Sequence, residues 1–140
     1  MMPAAWKRMA DRAQGILLDT SAIIAHMRGR IDILALTTPA EPLFVPLVAL
    51  GELYKGVEKS ARSIQNRQCV DDFLQLAALL FPDSGTAEIY ARAAVKMEAC
   101  GQVIPENDLW IAAVALECDK PLSTLDAHFQ RVYGLTVIQW

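Results

Sequence analysis

Short apolar runs alternate with longer segments of helical periodicity along most of this 140-residue chain. The apolar runs at residues 16–18, 43–48, 79–81, 121–124 and 135–138 predict five strands. Strands that alternate with helices pair in parallel, because a right-handed helical crossover returns the chain to the same end of the sheet. The sequence therefore predicts an α/β protein with three α/β/α layers around a five-stranded parallel sheet.

Helical periodicity fills the intervals between the predicted strands. Helices are predicted at residues 22–27, 86–99 and 107–117, and two more share residues 51–79, the first beginning at about residue 50. Thr20 or Ser21 is the predicted N-cap of the first helix, because a hydroxyl oxygen there accepts a hydrogen bond from an otherwise unpaired amide. Pro46 cannot donate to a sheet, which weakens the prediction for the last residues of the second strand.

The length of the chain fits one domain with a single core. Residues 15–140 are predicted to form that domain, and residues 1–14 are predicted to be a frayed or partly docked N-terminal extension. The three cysteines, Cys69, Cys100 and Cys118, are odd in number and widely separated, as expected of reduced thiols in the cytoplasm. No apolar segment reaches the roughly 20 residues of a membrane span, so no membrane insertion is expected.

Charge is divided unevenly along the chain. Residues 1–70 contain nine Lys or Arg and six acids, whereas residues 71–140 contain four and ten, so charges of +3 and −6 sum to −3. A net negative charge is not typical of nucleic-acid-binding domains, which are usually basic. The uneven division nevertheless leaves room for a basic face, an acidic cation site or a basic protein partner.

Four acidic residues fall where predicted strands end or predicted helices begin. Asp19 directly follows the first strand, Glu52 lies in the first helical turn after the second, and Asp126 lies two residues beyond the fourth. Asp108 opens the helix that precedes the fourth strand. In an open parallel sheet, ligands bind beyond the carboxyl ends of the strands. We therefore expect these side chains to share one edge of the sheet.

The chemistry of such a cluster points to a metal ion. Neighbouring carboxylates raise one another's pKa unless a cation lies among them. Oxygen ligands without nearby cysteine or histidine suit Mg²⁺ or Mn²⁺ rather than zinc. Such an ion activates water and stabilises the charge on a phosphate under in-line attack. The sequence therefore predicts metal-dependent phosphodiester hydrolysis, with the following residues as both catalytic residues and metal ligands: Asp19, Glu52, Asp108 and Asp126.

Other interpretations of these residues stay open on the sequence alone. Asp19 could simply cap the helix that follows it, and Glu52 or Asp108 could be an exposed ion pair or a favourable helix-dipole charge. A phospho-acceptor domain would use Asp19 as a covalent acceptor, whereas a non-catalytic interaction module would use the acidic pocket to receive an Arg- or Lys-bearing peptide. His26 and His128 have no helical histidine partner, so we interpret both as surface or structural residues outside the site.

Four segments of the chain carry a resemblance to a known family. They are residues 16–21 (ILLDTS), 50–60 (LGELYKGVEKS), 106–113 (ENDLWIAA) and 122–126 (LSTLD). In this order and spacing, the region from residue 16 to residue 140 resembles the PIN-domain toxins called VapC, the partners of VapB antitoxins in bacterial type II toxin–antitoxin pairs.

The resemblance implies an endoribonuclease that depends on Mg²⁺ or Mn²⁺, forms a homodimer and is inhibited by a VapB-type antitoxin. By position, it makes Asp19 and Asp108 metal ligands, and Glu52 and Asp126 complete the acidic set. Thr124 resembles a hydroxyl that the family places near the site. The antitoxin is expected to place an arginine near Asp19 and displace the metal.

A cluster of basic residues flanks one of the proposed site residues. Its members follow Glu52 along the predicted helices and are Lys55, Lys59, Arg62 and Arg67. The cluster is either a solvated helix face or a surface that contacts the RNA backbone. We take it as the candidate RNA-binding surface.

Overall fold

The computed structural model describes residues 15–36 and 41–140, which contain a five-stranded parallel sheet. The strands are β1 (Ile16–Leu18), β2 (Leu43–Pro46), β3 (Ala77–Leu80), β4 (Leu122–Thr124) and β5 (Val137–Gln139). Their order across the sheet is β3-β2-β1-β4-β5, and every neighbouring pair is parallel. The predicted five-stranded parallel sheet is confirmed, whereas the predicted extension at residues 1–14 lies outside the described residues.

Helices connect these strands. They are α1 (Thr20–Met27), α2 (Leu47–Lys59), α3 (Ser63–Phe73), α4 (Ser84–Ala99) and α5 (Glu106–Cys118), with 3₁₀ turns at Ile33–Leu36 and Ala127–Arg131. The chain runs from β1 through β2 to β3 and then crosses back to β4. With right-handed crossovers, α1, α2 and α3 cover one face of the sheet, and α4 and α5 cover the other. The α/β/α layering predicted from the sequence is confirmed.

The junction between β2 and α2 differs from the prediction. The apolar run 43–48 predicts a strand as far as residue 48, but β2 ends at Pro46 and α2 begins at Leu47. Pro46 has no amide hydrogen and its fixed φ suits the residue before a helix, where that hydrogen has no intrahelical partner. Because α2 begins three residues earlier than predicted, Glu52 lies in its second turn rather than its first.

The core explains why the site is held firmly. All three residues of β1 are buried, as expected of a central strand covered by helices on both faces. Five consecutive residues of α5, Ile111–Ala115, are also buried, and this helix packs closely against α4. Burying one large apolar side chain contributes about 1.5–3 kcal/mol. The first turn of α5 is therefore anchored by the helix that follows it.

Within residues 15–36 and 41–140, no helix combines the length and the apolar character needed to cross a bilayer.

Candidate active site

The order of the strands reverses at β1: β2 and β3 lie on one side of it, and β4 and β5 lie on the other. Ligands of open parallel sheets bind at such a switch point, beyond the carboxyl ends of the strands. Asp19 directly follows β1, and its amide donates to the carbonyl of Ser123 in β4 over 3.2 Å. The carboxyl ends of these two central strands therefore lie side by side, as the sequence predicts.

Asp19 is buried at this edge, with 2% of its surface exposed. Its Oδ1 accepts hydrogen bonds from Ser21 Oγ at 2.8 Å and from the amide of Ala22 at 2.9 Å, and its Oδ2 accepts one from Thr124 Oγ1 at 2.6 Å. Burial raises the pKa of Asp19, and the hydrogen bond from Thr124 opposes that increase. The carboxylate is therefore fixed in position by three donors before any ligand binds.

Asp19 is also the N-cap of α1, so the prediction that Thr20 or Ser21 caps this helix is wrong. The physical reason is that the Asp19 carboxylate reaches the Ala22 amide itself, which leaves both hydroxyls available for other partners. Capping and membership of an acidic cluster are therefore properties of the same side chain.

Thr124 and Ser21 tie the loop after β4 to the start of α1. Thr124 Oγ1 accepts from the amide of Asp126 at 2.9 Å, and Ser21 Oγ accepts from the amide of Leu125 at 3.1 Å. Thr124 is fully buried and lies beside the carboxylate where the family resemblance places a hydroxyl. Ser21 was missed as a site residue, and its position two residues after Asp19 is the signal that sequence reasoning could have used.

Glu52 lies on α2 and contacts the residue that follows Asp19. Its Oε1 accepts a hydrogen bond from Thr20 Oγ1 at 2.8 Å, so the residue after Asp19 positions a second carboxylate. Glu52 is half-buried and contributes to the lining of a cavity of about 270 Å³ that continues along α1, α2 and α3. It is therefore accessible where Asp19 is not.

Asp108 lies in the first turn of α5, as predicted, and faces the 3₁₀ turn after β4. Its Oδ2 is 2.7 Å from Nε2 of His128, and the two side chains are 16% and 24% exposed. Burial raises the pKa of Asp108, attraction to His128 lowers it, and repulsion from Glu52 and Asp126 raises it further. Asp126 also raises the pKa of Asp19.

Electrostatic interactions connect the four carboxylates in pairs. Asp126 acts on both Asp19 and Asp108, and Glu52 acts on Asp108. Asp19 is thus connected to Asp126 and Glu52 to Asp108, but Asp19 and Glu52 lie outside the group of ligand atoms that Asp108, Asp126 and His128 form. Their roles as catalytic residues and metal ligands remain predictions.

His128 lies within this acidic cluster, although sequence reasoning placed it outside the site. One possible ligand atom from each of Asp108, Asp126 and His128 lies within 4.8 Å of the other two. Phe129, which is fully buried, anchors the turn that carries His128. The absence of a helical histidine partner was a poor criterion here, because the neighbours of His128 come from other segments of the chain.

His26 behaves as the sequence indicates. Its Nδ1 accepts a hydrogen bond from the amide of Ile33 at 3.2 Å, and its ring meets Phe73 edge to face at 5.7 Å. It is a structural residue that supports the turn after α1.

The basic cluster lies on α2, on α3 and in the turn between them. Lys55, Lys59 and Arg62 are exposed, and Lys55 is three residues from Glu52, on the same side of α2. Arg67 pairs with Asp71 at 3.1 Å, and its guanidinium lies 4.3 Å from the ring centre of Tyr54. Arg67 therefore already has local partners, and the contact of the cluster with RNA remains a prediction.

Comparisons with known proteins identify a family for the chain. The sequence matches the PIN domain family over residues 16–135. Ribonuclease VapC1 of Haemophilus influenzae is 30% identical over 129 residues, which cover 89% of this chain and 94% of that protein.

Two solved structures extend the likeness to the fold. VapBC2 from Rickettsia felis, bound to a DNA fragment from its promoter, has a TM-score of 0.85 at 25% identity and covers 91% of this chain and 99% of that one. VapBC-5 from Mycobacterium tuberculosis, a member of the VapBC family of toxin–antitoxin systems, has a TM-score of 0.74 at 30% identity, with 90% and 98% covered. The matches span nearly the whole of each chain.

Proposed function

This chain belongs to the PIN domain family, and from that premise we propose that it is a metal-dependent endoribonuclease of the VapC type, the toxin of a toxin–antitoxin pair. The observation that carries the proposal is that carboxylates from distant segments interact at this edge of the sheet, where Asp126 acts on Asp19 and Asp108 and Glu52 acts on Asp108. Such a cluster costs free energy unless a cation compensates its charge.

The residues at this edge fit a divalent ion. Burial raises the pKa of both Asp19 and Asp108, as expected of carboxylates without a compensating cation. Asp108 and Asp126 are the most available ligands, because Asp19 already accepts three hydrogen bonds. We propose Mg²⁺ or Mn²⁺, which carboxylate oxygens bind well. When bound, such an ion activates water for hydrolysis and neutralises charge on the phosphate.

The chain's own residues orient the site. Thr124 and Ser21 fix Asp19, and Thr20 fixes Glu52, so two carboxylates are held in place by hydroxyl groups. Hydrolysis by water needs no 2′-hydroxyl of the RNA. We therefore expect products with 5′-phosphate and 3′-hydroxyl ends, whereas 2′,3′-cyclic phosphates would contradict this mechanism.

The burial of Asp19 argues against the phospho-acceptor alternative. A covalent acceptor needs an oxygen that a phosphorus atom can approach in line, but both oxygens of Asp19 accept hydrogen bonds and the residue is 2% exposed. A phosphoryl or beryllofluoride adduct on Asp19 would restore that alternative.

The cavity beside Glu52 fits the antitoxin partner. Its walls include apolar side chains of α1, α2 and α3, and Glu52 lies among them. We propose that an apolar segment of a VapB-type antitoxin binds there and places an arginine near Glu52 and Asp108. This revises the expectation for Asp19, which is too deeply buried to receive a guanidinium. We also propose a homodimer, on the family resemblance, and light scattering of the purified protein tests it.

The decisive experiment is RNA cleavage by the purified, antitoxin-free protein. We expect cleavage to stop with EDTA, to return with added Mn²⁺ or Mg²⁺, and to leave 5′-phosphate ends. Asp108→Asn removes one negative charge from the first turn of α5, and Asp119→Asn removes one from its exposed opposite end, where the left-handed backbone tolerates asparagine. Asp108→Asn should abolish cleavage and Asp119→Asn should preserve it.

Cleavage that persists in EDTA and in Asp108→Asn would refute the metal-dependent proposal. An RNA-inert wild-type protein that still binds an Arg-bearing peptide at the acidic edge would instead favour the interaction module.

A further inference from the structure

His128 contributes an imidazole nitrogen to the acidic edge. Its Nε2 is buried and pairs with Asp108 Oδ2 at 2.7 Å, and that contact lowers the pKa of Asp108. The same nitrogen can bind a metal ion in place of a proton, so its pairing with Asp108 is compatible with a role as a ligand.

The fold, rather than Asp108, determines where this ring lies. Phe129 is fully buried and holds the 3₁₀ turn, and the ring of His128 lies against it with centroids 4.9 Å apart. The turn follows Asp126 directly, so His128 and Asp126 reach the same point in front of Asp108. Two ligands of one ion lie at most about 4–5 Å apart, because metal–oxygen bonds are about 2.0–2.6 Å long. The three groups, which lie within 4.8 Å of one another, meet that limit.

We propose that His128 is itself a metal ligand and that, with Asp108 and Asp126, it makes this site prefer Mn²⁺ or another first-row transition ion to Mg²⁺. The inference rests on the proposed function, because it concerns the ion of the same site. Mg²⁺ takes oxygen ligands and retains much of its water. An imidazole nitrogen suits transition ions, which it binds more strongly along the series that begins with Mn²⁺.

Pulsed electron paramagnetic resonance of the Mn²⁺ complex tests the ligand directly. An imidazole nitrogen bound to Mn²⁺ produces ¹⁴N modulation of the electron spin echo, which carboxylates and water do not. The chain contains two histidines, His26 and His128, so a tag-free protein has only two sources of imidazole. We expect ¹⁴N modulation in the wild type, its loss in His128→Gln, and its retention in the matched control His26→Gln.

A competition titration supplies the second readout. The preference for Mn²⁺ over Mg²⁺ should fall in His128→Gln by on the order of 10- to 100-fold, the range that the loss of a supporting metal contact typically costs. His26→Gln should leave the preference unchanged. If His128→Gln had the same ratio of Mn²⁺ affinity to Mg²⁺ affinity as the wild type, the proposal would be overturned.

The wild-type spectrum alone is decisive, whether or not the variants fold. Mn²⁺ binding without ¹⁴N modulation, in a protein that cleaves RNA in a metal-dependent way, would overturn the role of His128 and leave the proposed function intact. A wild-type protein that binds no Mn²⁺ and cleaves RNA in EDTA would overturn both. Modulation that His26→Gln removes would also refute the assignment to His128.

Discussion

The two halves of the acidic edge are built in opposite ways. In the clasped half, formed by Asp19, Ser21 and Thr124, both carboxylate oxygens have donors and the hydroxyls bond in turn to backbone amides. In the open half, formed by Asp108, Asp126 and His128, the carboxylate of Asp108 is 16% exposed and pairs with the imidazole Nε2 of His128 at 2.7 Å. In the clasped half, hydrogen bonds within the protein already hold both oxygens of Asp19. In the open half, Asp108, Asp126 and His128 offer atoms that can bind a metal ion.

This difference shows how a cluster of like charges can exist in a folded protein. Hydrogen bonds to the ionised form offset part of the cost of burying Asp19. The open half has fewer such hydrogen bonds, so we expect a bound cation to compensate its negative charge. The same acidic edge therefore combines a fixed support with a variable binding surface.

The largest expected effect comes from neutralising one carboxylate in each half. Asp19→Asn and Asp108→Asn should each lower the rate of RNA cleavage by about 100-fold or more, at or above the range seen when metal-site partners are lost. The metal-free variants should differ in stability. Asp108→Asn removes a disfavoured buried charge and should raise the melting temperature. Asp19→Asn presents an NH₂ group to one of the hydroxyl donors of the clasped half, so it should not raise the melting temperature.

Thermal unfolding in EDTA measures this contrast, with Asp119→Asn as the control for loss of a charge. If Asp19→Asn stabilised the protein as much as Asp108→Asn, the two halves would not differ in the way that their hydrogen bonds indicate.

The next effect concerns the hydroxyl groups. Thr124→Val keeps the shape of the side chain but leaves Asp19 Oδ2 and the amide of Asp126 without their partner. We expect a loss of about 1–3 kcal/mol in the free energy of unfolding, the cost of unsatisfied buried groups. Thr20→Val removes only the partly buried bond to Glu52 and should cost about 0.5–1.5 kcal/mol. Urea unfolding of both variants gives the comparison, and equal losses would contradict it.

A smaller effect should appear in the pH dependence of stability. The pKa of Asp108 in the folded state is raised above its ordinary value of 3.8, so the folded protein holds this proton more tightly than the unfolded chain does. The contribution is fully present below that value and is lost as the pH rises through the folded pKa. The free energy by which Asp108→Asn exceeds the wild type should therefore grow from pH 3.8 upward and then level off.

Urea titrations in EDTA at several pH values measure this difference. Because both proteins contain the same other groups, their difference isolates Asp108. A difference that shrinks as the pH rises would show that the pKa of Asp108 is lowered instead.

The smallest effect concerns the basic cluster outside the acidic edge. Lys55→Ala and Lys59→Ala should weaken RNA binding severalfold at low salt and each reduce the slope of log affinity against log salt by about 1. Arg67→Ala should change the slope less, because its guanidinium already pairs with Asp71. Binding to an uncleavable RNA across a salt series measures these slopes, and unchanged slopes for both lysines would exclude the cluster as an RNA surface.

The sequence predicts the sheet and the clustering of acids well, for identifiable reasons. The apolar run of β1 is buried on both faces, so its ending at Asp19 marks a true strand end. The positions of Asp19, Glu52 and Asp126 follow from topology, because the carboxyl ends of parallel strands meet at one edge. Asp108 instead begins the helix that precedes β4. Periodicity, strand ends and chain order are all local properties that can be read from the sequence.

The details that the sequence did not predict depend on contacts between distant segments. The run Leu47–Val48 continues the apolar pattern of β2, and only the backbone at Pro46 shows that the helix has begun. His128 reaches Asp108 because a 3₁₀ turn folds back over a buried phenylalanine. Neither event leaves a periodic pattern in the sequence.

The hydrogen bond between Thr124 and Asp19 also determines how late in translation the site can form. The two residues are 105 positions apart. Ribosomes add about 5–20 residues per second, so translation of this interval takes about 5–20 seconds. Throughout that period the emerging polypeptide lacks Thr124, Asp126 and His128. We therefore expect that a half-made copy cannot cut the messenger from which it is being translated, because it lacks part of the acidic edge.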